Sequence, residues 1–185
     1  MNGQKKEKSM KPILFNTEMV KAILDGRKTV TRRLVKLIGN PAWTGYSPDG
    51  AVLYGSNNIP AAKAPYRPGD ILWVRETWAV WSATNGIYYK ADKDAPVCIR
   101  WRPSIHMPRE AARLFLMVKG VRVERLREMV LADVLMEGIK EAETYEGTWD
   151  LWHQTWDSTI KPADLPRYGW KANPWVWVIK FERVN

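Results

Sequence analysis

The chain has a single cysteine, Cys98, in 185 residues, so no disulfide can close within it. It has only two histidines, His106 and His153. One thiol and two imidazoles do not make a Cys/His zinc site, and neither a metal nor an organic cofactor is expected. Cys98 reads as a small buried or half-buried residue rather than a nucleophile. No apolar run approaches the roughly 20 residues that cross a bilayer, so no membrane association is expected. The first ten residues carry three lysines and no hydrophobic stretch. They read as a flexible basic tail and not as a secretory signal. Together these absences point to a soluble, cytoplasmic protein.

What is present is positive charge and tryptophan. The formal net charge is +9, and a basic surface attracts phosphates and anionic membranes. There are 11 Trp against 3 Phe. Tryptophan serves in cores and equally as a platform for unpaired bases. The length suits one domain, taken as residues 11–185 after the tail at 1–10.

Along the chain, Asn16 or Thr17 caps a short helix running to Asp25, with Met19, Val20, Ile23 and Leu24 facing the core and Gly26 ending it. Residues 36–68 are rich in turn signals and read as a long loop, with at most a short hairpin around Ala51–Tyr54. Ile71–Arg75 is a buried strand, and Ile87–Lys90 a shorter one. Arg100–Arg109, with two prolines, cannot be a regular helix. A long strand follows through Leu114, Leu116, Val118 and Val121, with a bend or bulge at Gly120. Arg127–Gly138 reads as a helix with a Val130, Val134, Leu135 stripe. Thr148–Ile160 reads as a second, burying Leu151, Trp152, Thr155 and Trp156, with His153 off that stripe. Leu165–Asn173 reads as loop. Trp175–Glu182 closes the chain as a strand, with Trp175, Trp177, Ile179 and Phe181 on one face. The fold class is therefore α+β.

The chemistry concentrates in Gly26-Arg27-Lys28-Thr29-Val30-Thr31-Arg32-Arg33, with four cations and two hydroxyls in eight residues. In a regular strand Lys28 and Thr31 face opposite sides, so only a bulge or a strand-to-turn transition brings them together. A threonine hydroxyl needs a neighbouring base to act as a nucleophile. Lysine is such a base only when burial or nearby cations lower its pKa. The simpler role for Lys28 is a protonated partner of phosphate. Plain structural readings also exist. Arg27 and Lys28 can complement the helix dipole on a solvated strand, Glu76 can pair with Arg75 or Arg102 at the surface, and Glu137 can be a solvated residue at a helix end.

The pattern Gly26-x-Lys28-x-x-Thr31-x-Arg33 resembles the signature of the ASCH family. So do Arg67-Pro68-Gly69-Asp70 before a strand, Glu137-Gly138 after a short helix, and the closing strand at Trp175–Phe181. With Trp73–Trp78 and Pro103–Arg109, the chain is similar to the larger members carried by phages and prophages, over roughly residues 11–184. The resemblance implies a small PUA-like mixed β-barrel with short helices at its mouth. One branch of the family consists of compact amidohydrolases that remove the acetyl group of N4-acetylcytidine. On that resemblance Lys28, Thr31 and Glu137 are catalytic. Thr31 attacks the acyl carbonyl, Lys28 takes its proton, and Glu137 positions the site or activates water. Arg33 orients the ligand or supports the Lys28–Thr31 pair. Arg75, Glu76, Trp78, His106 and Arg109 are expected to bind substrate or nucleic acid, with Glu76 a rival site acid. The long segments at 36–68 and 76–113 depart from the compact enzymes and leave room for another substrate. The alternatives are a non-catalytic RNA-binding module and a ribonuclease of phage or prophage origin.

Overall fold

The computed structural model describes residues 10–36, 43–55, 60–81, 85–96 and 100–184. The expectations for the tail at 1–9 and for Cys98 lie outside these residues. The class is α+β. In chain order the strands and helices are β1 (Met10–Leu14), α1 (Thr17–Leu24), β2 (Val30–Leu34), β3 (Trp43–Tyr46), β4 (Val52–Gly55), β5 (Pro60–Lys63), β6 (Ile71–Arg75), β7 (Trp78–Trp81), β8 (Gly86–Tyr89), β9 (Phe115–Arg125), α2 (Leu131–Met136), α3 (Tyr145–Ser158), α4 (Leu165–Tyr168) and β10 (Trp175–Val184).

Five strands form the main sheet in the order β1-β6-β9-β10-β2, with β1 parallel to β6 and the other pairs antiparallel. The long strands β9 and β10 are its spine. Their register slips between Lys180 and Phe181, because Gly120 faces Lys180 while Val118 faces Phe181. Lys119 is thus the extra residue of a bulge beside Gly120, where the bend was expected. Strand pairing does not join β1 to β2 among the described residues. A side chain bridges these two edges instead, as the Arg33 guanidinium on β2 donates to the Leu14 carbonyl on β1 at 2.9 Å.

β10 keeps Trp177, Ile179 and Phe181 on one face as expected, with Lys180 and Glu182 exposed on the other, and it is buried on both faces from Val176 to Ile179. Trp177, Ile179 and Phe181 join α1, β6 and β9 in one core. Val176 and Val178 join Val30 and the tryptophans Trp152 and Trp156 of α3 in a second core. A strand covered on both faces reads as a continuous apolar run, and Trp175–Ile179 is one.

Local chemistry sets the element boundaries. The Asn16 side chain accepts from the Met19 amide at 2.8 Å and starts α1. Gly26, at φ +75°, stops it. In the Arg67-Pro68-Gly69-Asp70 turn the Asp70 carboxylate accepts from the Arg67 amide at 2.8 Å and from Lys11 at 2.6 Å. That carboxylate fastens the start of β6 to β1.

Several expected elements differ. The long loop at 36–68 contains a three-stranded antiparallel sheet, β3-β4-β5, where one short hairpin was anticipated. β1 and β7 carry weak signals and were not anticipated. The helix expected over Arg127–Gly138 is a single 3-10 turn at Leu126–Glu128 followed by the shorter α2, with Val130 exposed at its N-cap. The loop at 165–173 holds α4 and a 3-10 turn at Trp170–Ala172, and another 3-10 turn at Pro162–Asp164 precedes it. In α3 the buried residues are Thr148, Trp152 and Trp156, and Leu151 faces solvent. No described helix is long and apolar enough to cross a membrane.

Glu76, at the end of β6, does not pair at the surface with Arg75 or Arg102. It is buried, and Arg113 grips both carboxylate oxygens at 2.9 and 3.1 Å. Arg113 also reaches Asp92 at 2.6 Å and lies over the Tyr89 ring. Burial raises the Glu76 pKa against the pull of Arg113. A carboxyl with a raised native pKa contributes stability in acid that is lost as pH rises through the native value. Arg113→Met should therefore destabilise the protein by about 3 kcal/mol near neutral pH, by stranding a buried charge. The deficit should shrink in acid, where Glu76 takes a proton. Urea melts across pH test this, and a deficit independent of pH would assign the loss to packing alone.

Candidate functional site

The Lys28 segment is not a regular strand. Lys28 forms an isolated bridge with Glu137, Thr29 interrupts, and β2 begins only at Val30. Two helices clamp this lead-in. The Lys28 amide donates to Ala22 of α1, and the Thr29 amide donates to Met136 of α2. Arg27 adds a 2.6 Å bond to the Gly138 carbonyl. Lys28 is buried and is no solvated partner for the α1 dipole.

The interruption turns the lysine side chain along its own strand. Its amine donates to the Val30 carbonyl at 2.8 Å, the Glu137 carbonyl at 2.9 Å and Glu137 Oε2 at 2.6 Å. The Val30 carbonyl belongs to the peptide that joins Val30 to Thr31, so the amine sits beside the Thr31 peptide. The amine and the Thr31 hydroxyl make no hydrogen bond with each other among the described residues. Lys28 and Glu137 form a dry pair, with side chains 1% and 3% exposed. The other Glu137 oxygen accepts from Arg32 at 3.2 Å. Arg32 in turn binds Glu124 at 2.7 Å and lies 3.5 Å from Asp133.

Burial pushes the Lys28 amine below its ordinary pKa. Glu137 opposes that shift, while Arg33 and Arg32 reinforce it. Burial also acts against the Arg32 charge, but Glu137, Glu124 and Asp133 more than offset it and raise its pKa. Burial lowers Arg33, whose guanidinium lies 5.4 Å from the Phe15 ring centre.

Lys28, Thr31, Arg33 and Glu137 all line one cavity of about 410 Å³. That volume suits a nucleoside-sized ligand. Phe15, Trp152 and Trp156 add aromatic wall, and Pro103 and Ser104 close another side. The Trp152 indole N–H is buried without a protein partner. Arg32 was expected only as a neighbouring cation. The site makes it the second clamp on Glu137.

The remaining expected binding residues do not line this cavity. Arg75 donates to the Ile105 carbonyl and lies over Trp73. Glu76 is committed to Arg113. Trp78 is no base platform, since it is buried with Met107 and Ala111 and covered by Arg102. His106 and Arg109 are exposed, with Arg109 against the Met10 sulfur. The tryptophans that do line it, Trp152 and Trp156, come from the helix stripe and are 120 positions or more from Lys28 in sequence. Only the tertiary fold brings them there. No cluster of metal-ligating side chains occurs among the described residues.

Compared with known proteins, the chain matches no family model, no curated protein and no solved structure.

Gly138 is where the site is tightest. Its φ is +87°, and a Cβ there would stand 2.6 Å from the Ala22 Cβ and 2.9 Å from the Lys28 Cβ. Neither neighbour is the free end of a side chain. Gly26 has a similar φ of +75° with nothing within 4 Å of its Cβ position. Gly26→Ala should therefore cost about 1 kcal/mol of stability, from backbone strain alone. Gly138→Ala should cost about 3 kcal/mol, because it adds overpacking to strain. Equal losses in chemical denaturation would remove the close-contact account.

Proposed function

We propose that this chain is an ASCH-type protein of PUA-like architecture whose Lys28 pocket binds a modified nucleoside, free or within RNA, and hydrolyses its acyl amide. N4-acetylcytidine is the substrate we favour. The observation that carries the reading is the convergence of Lys28, Thr31, Arg33 and Glu137 on one cavity. The depressed Lys28 pKa adds to it, because a base must give up its own proton first.

In the proposed reaction the neutral Lys28 amine takes the Thr31 hydroxyl proton as Oγ1 attacks the acetyl carbon. The tetrahedral intermediate collapses, the C–N bond breaks, and Lys28 returns the proton to the departing N4 amine. Water then hydrolyses the acetyl-threonine ester, releasing acetate and restoring the hydroxyl. Glu137 holds the Lys28 amine in place and is the acid nearest the pocket for activating that water. Arg33 lies at the pocket wall, where it orients the ligand.

A second reading, binding without turnover, is favoured by one observation. All three bonds from the Lys28 amine are already made within the protein, as an ammonium held by Glu137 would make them. The ribonuclease alternative has less support, since neither His106 nor Glu76 lines the pocket.

The deciding measurement is release of cytidine from N4-acetylcytidine by wild type, Lys28→Arg and Thr31→Val. Lys28→Arg keeps the positive charge but cannot give up its proton. Both variants should lose about 100-fold or more in turnover. Wild-type turnover should rise with pH, with a midpoint below the ordinary lysine value of 10.5. Full activity in Lys28→Arg would rule out the base role. Cytidine binding by a wild type that releases nothing would establish the binding module.

A further inference from the structure

A second cleft, of about 450 Å³, adjoins the Lys28 pocket and shares Arg32, Arg33, Trp156 and Thr159 with it. Lys36, Lys63 and Tyr66 complete its polar wall, and no aspartate or glutamate lines it. The charge of Arg32 is already matched by Glu137, Glu124 and Asp133. The other three cations make no ion pair among the described residues, although Glu137 acts on the Arg33 charge from a distance. Arg33 donates to a backbone carbonyl, that of Leu14. Lys36 and Lys63 are exposed and make no ion pair among the described residues.

This contrast decides what the cleft suits. Most cations elsewhere around the site meet an acid: Lys28 meets Glu137, Arg32 meets three carboxylates, and Arg122 meets Glu124 and Asp133. Three cations with no ion pair among the described residues, set around one acid-free concavity, form a site for an anion with several acceptor oxygens. Arg33 stands in the wall between the two clefts, so the anion would lie one residue's width from whatever occupies the Lys28 pocket. In a nucleotide, the phosphate and base are joined through a single sugar, which spans such a step.

We propose that the cleft of Arg33, Lys36 and Lys63 is a phosphate subsite, and that the pocket's ligand is a nucleotide rather than a free nucleoside. The phosphate belongs either to a mononucleotide or to the neighbouring linkage of an RNA strand. The assignment of the base to the Lys28 pocket rests on the function proposed above. The phosphate subsite itself rests only on the cleft.

The test is calorimetric binding of the whole chain to cytidine, cytidine 5′- and 3′-monophosphate, a cytidine-centred trinucleotide and inorganic phosphate, at low salt. At least one monophosphate should bind about tenfold more tightly than cytidine, as expected for one or two new charge-assisted contacts. The gain should fall below about twofold in Lys36→Ala/Lys63→Ala, survive in Lys36→Arg/Lys63→Arg, and weaken with added salt. A trinucleotide that outbinds both monophosphates supports the subsite and assigns it to RNA, while equal binding supports it and assigns it to the mononucleotide. Monophosphates no tighter than cytidine, or a gain unchanged in the alanine variant, would overturn the proposal. If no cytidine compound binds but inorganic phosphate binds wild type and not the alanine variant, the base assignment fails and the phosphate subsite stands. Failure of inorganic phosphate as well would overturn both.

Discussion

The buried ion pair between Lys28 and Glu137 is the contact on which the site and its surroundings depend. It joins positions 109 apart in sequence, with nearly all water excluded. Separating such a pair strands a charge in the interior and costs about 3–5 kcal/mol. The neighbouring structure is arranged to keep it closed. Gly138 lets α2 come within contact of the Lys28 side chain, Arg27 holds the Gly138 carbonyl, and Arg32 holds the second oxygen of Glu137. A pair of apolar residues could fill the same space with less desolvation. Titratable groups kept in such a place are consistent with the role proposed above for the pair.

The sheet supplies the rigidity this arrangement needs. β10 packs on both faces, so β2 is paired along one edge of a strand that cannot shift without disturbing two cores. Thr31 and Arg33 are held by that register opposite Ile179 and Trp177. The helices approach from both faces, α1 in one core and α2 and α3 in the other. α1 and α2 fix the Lys28 lead-in, and α3 adds the aromatic wall. The catalytic candidates are thus on a strand edge, a strand lead-in and a helix end, each tied by backbone bonds rather than carried on a long loop.

Much of this was legible in the residues, for identifiable reasons. α1 announces itself through Asn16, its periodic apolar face and Gly26. β6 and β10 are apolar runs after turns. Lys28, Thr31, Arg33 and Glu137 were singled out by a spacing that resembles a known signature, and the fold brings all four to one cavity. What escaped depends on distance in sequence. Glu76 finds Arg113, 37 residues on, and no local pattern points to that partner. Trp78 looks like a base platform until Met107 and Ala111 are packed on it. The sheet of β3, β4 and β5 is built from four-residue strands among turn residues, too short for alternation to register. That Lys28 and Thr31 line one cavity was legible only as a condition, because periodicity puts them on opposite faces of a regular strand.

Polar satisfaction is unevenly distributed in the molecule, and that unevenness bears on the site. Among the described residues, four buried side-chain nitrogens lack a protein partner, those of Arg75, Trp78, Trp152 and His153. Of these four residues only Trp152 lines the Lys28 cavity. An unpaired indole N–H in a closed core is a loss of about 1–3 kcal/mol with nothing to recover it. In the wall of a cavity it is different, because a ligand carbonyl can accept from it and return that loss on binding. The same wall holds a lysine of depressed pKa, a threonine hydroxyl and a half-buried arginine. The Lys28 amine is already bonded three times within the protein, so the Trp152 N–H, the Thr31 hydroxyl and the Arg33 guanidinium are the donors this wall can offer. A ligand that fits must bring acceptor oxygens of its own, and a cytosine ring, an acyl carbonyl and a phosphate each do so.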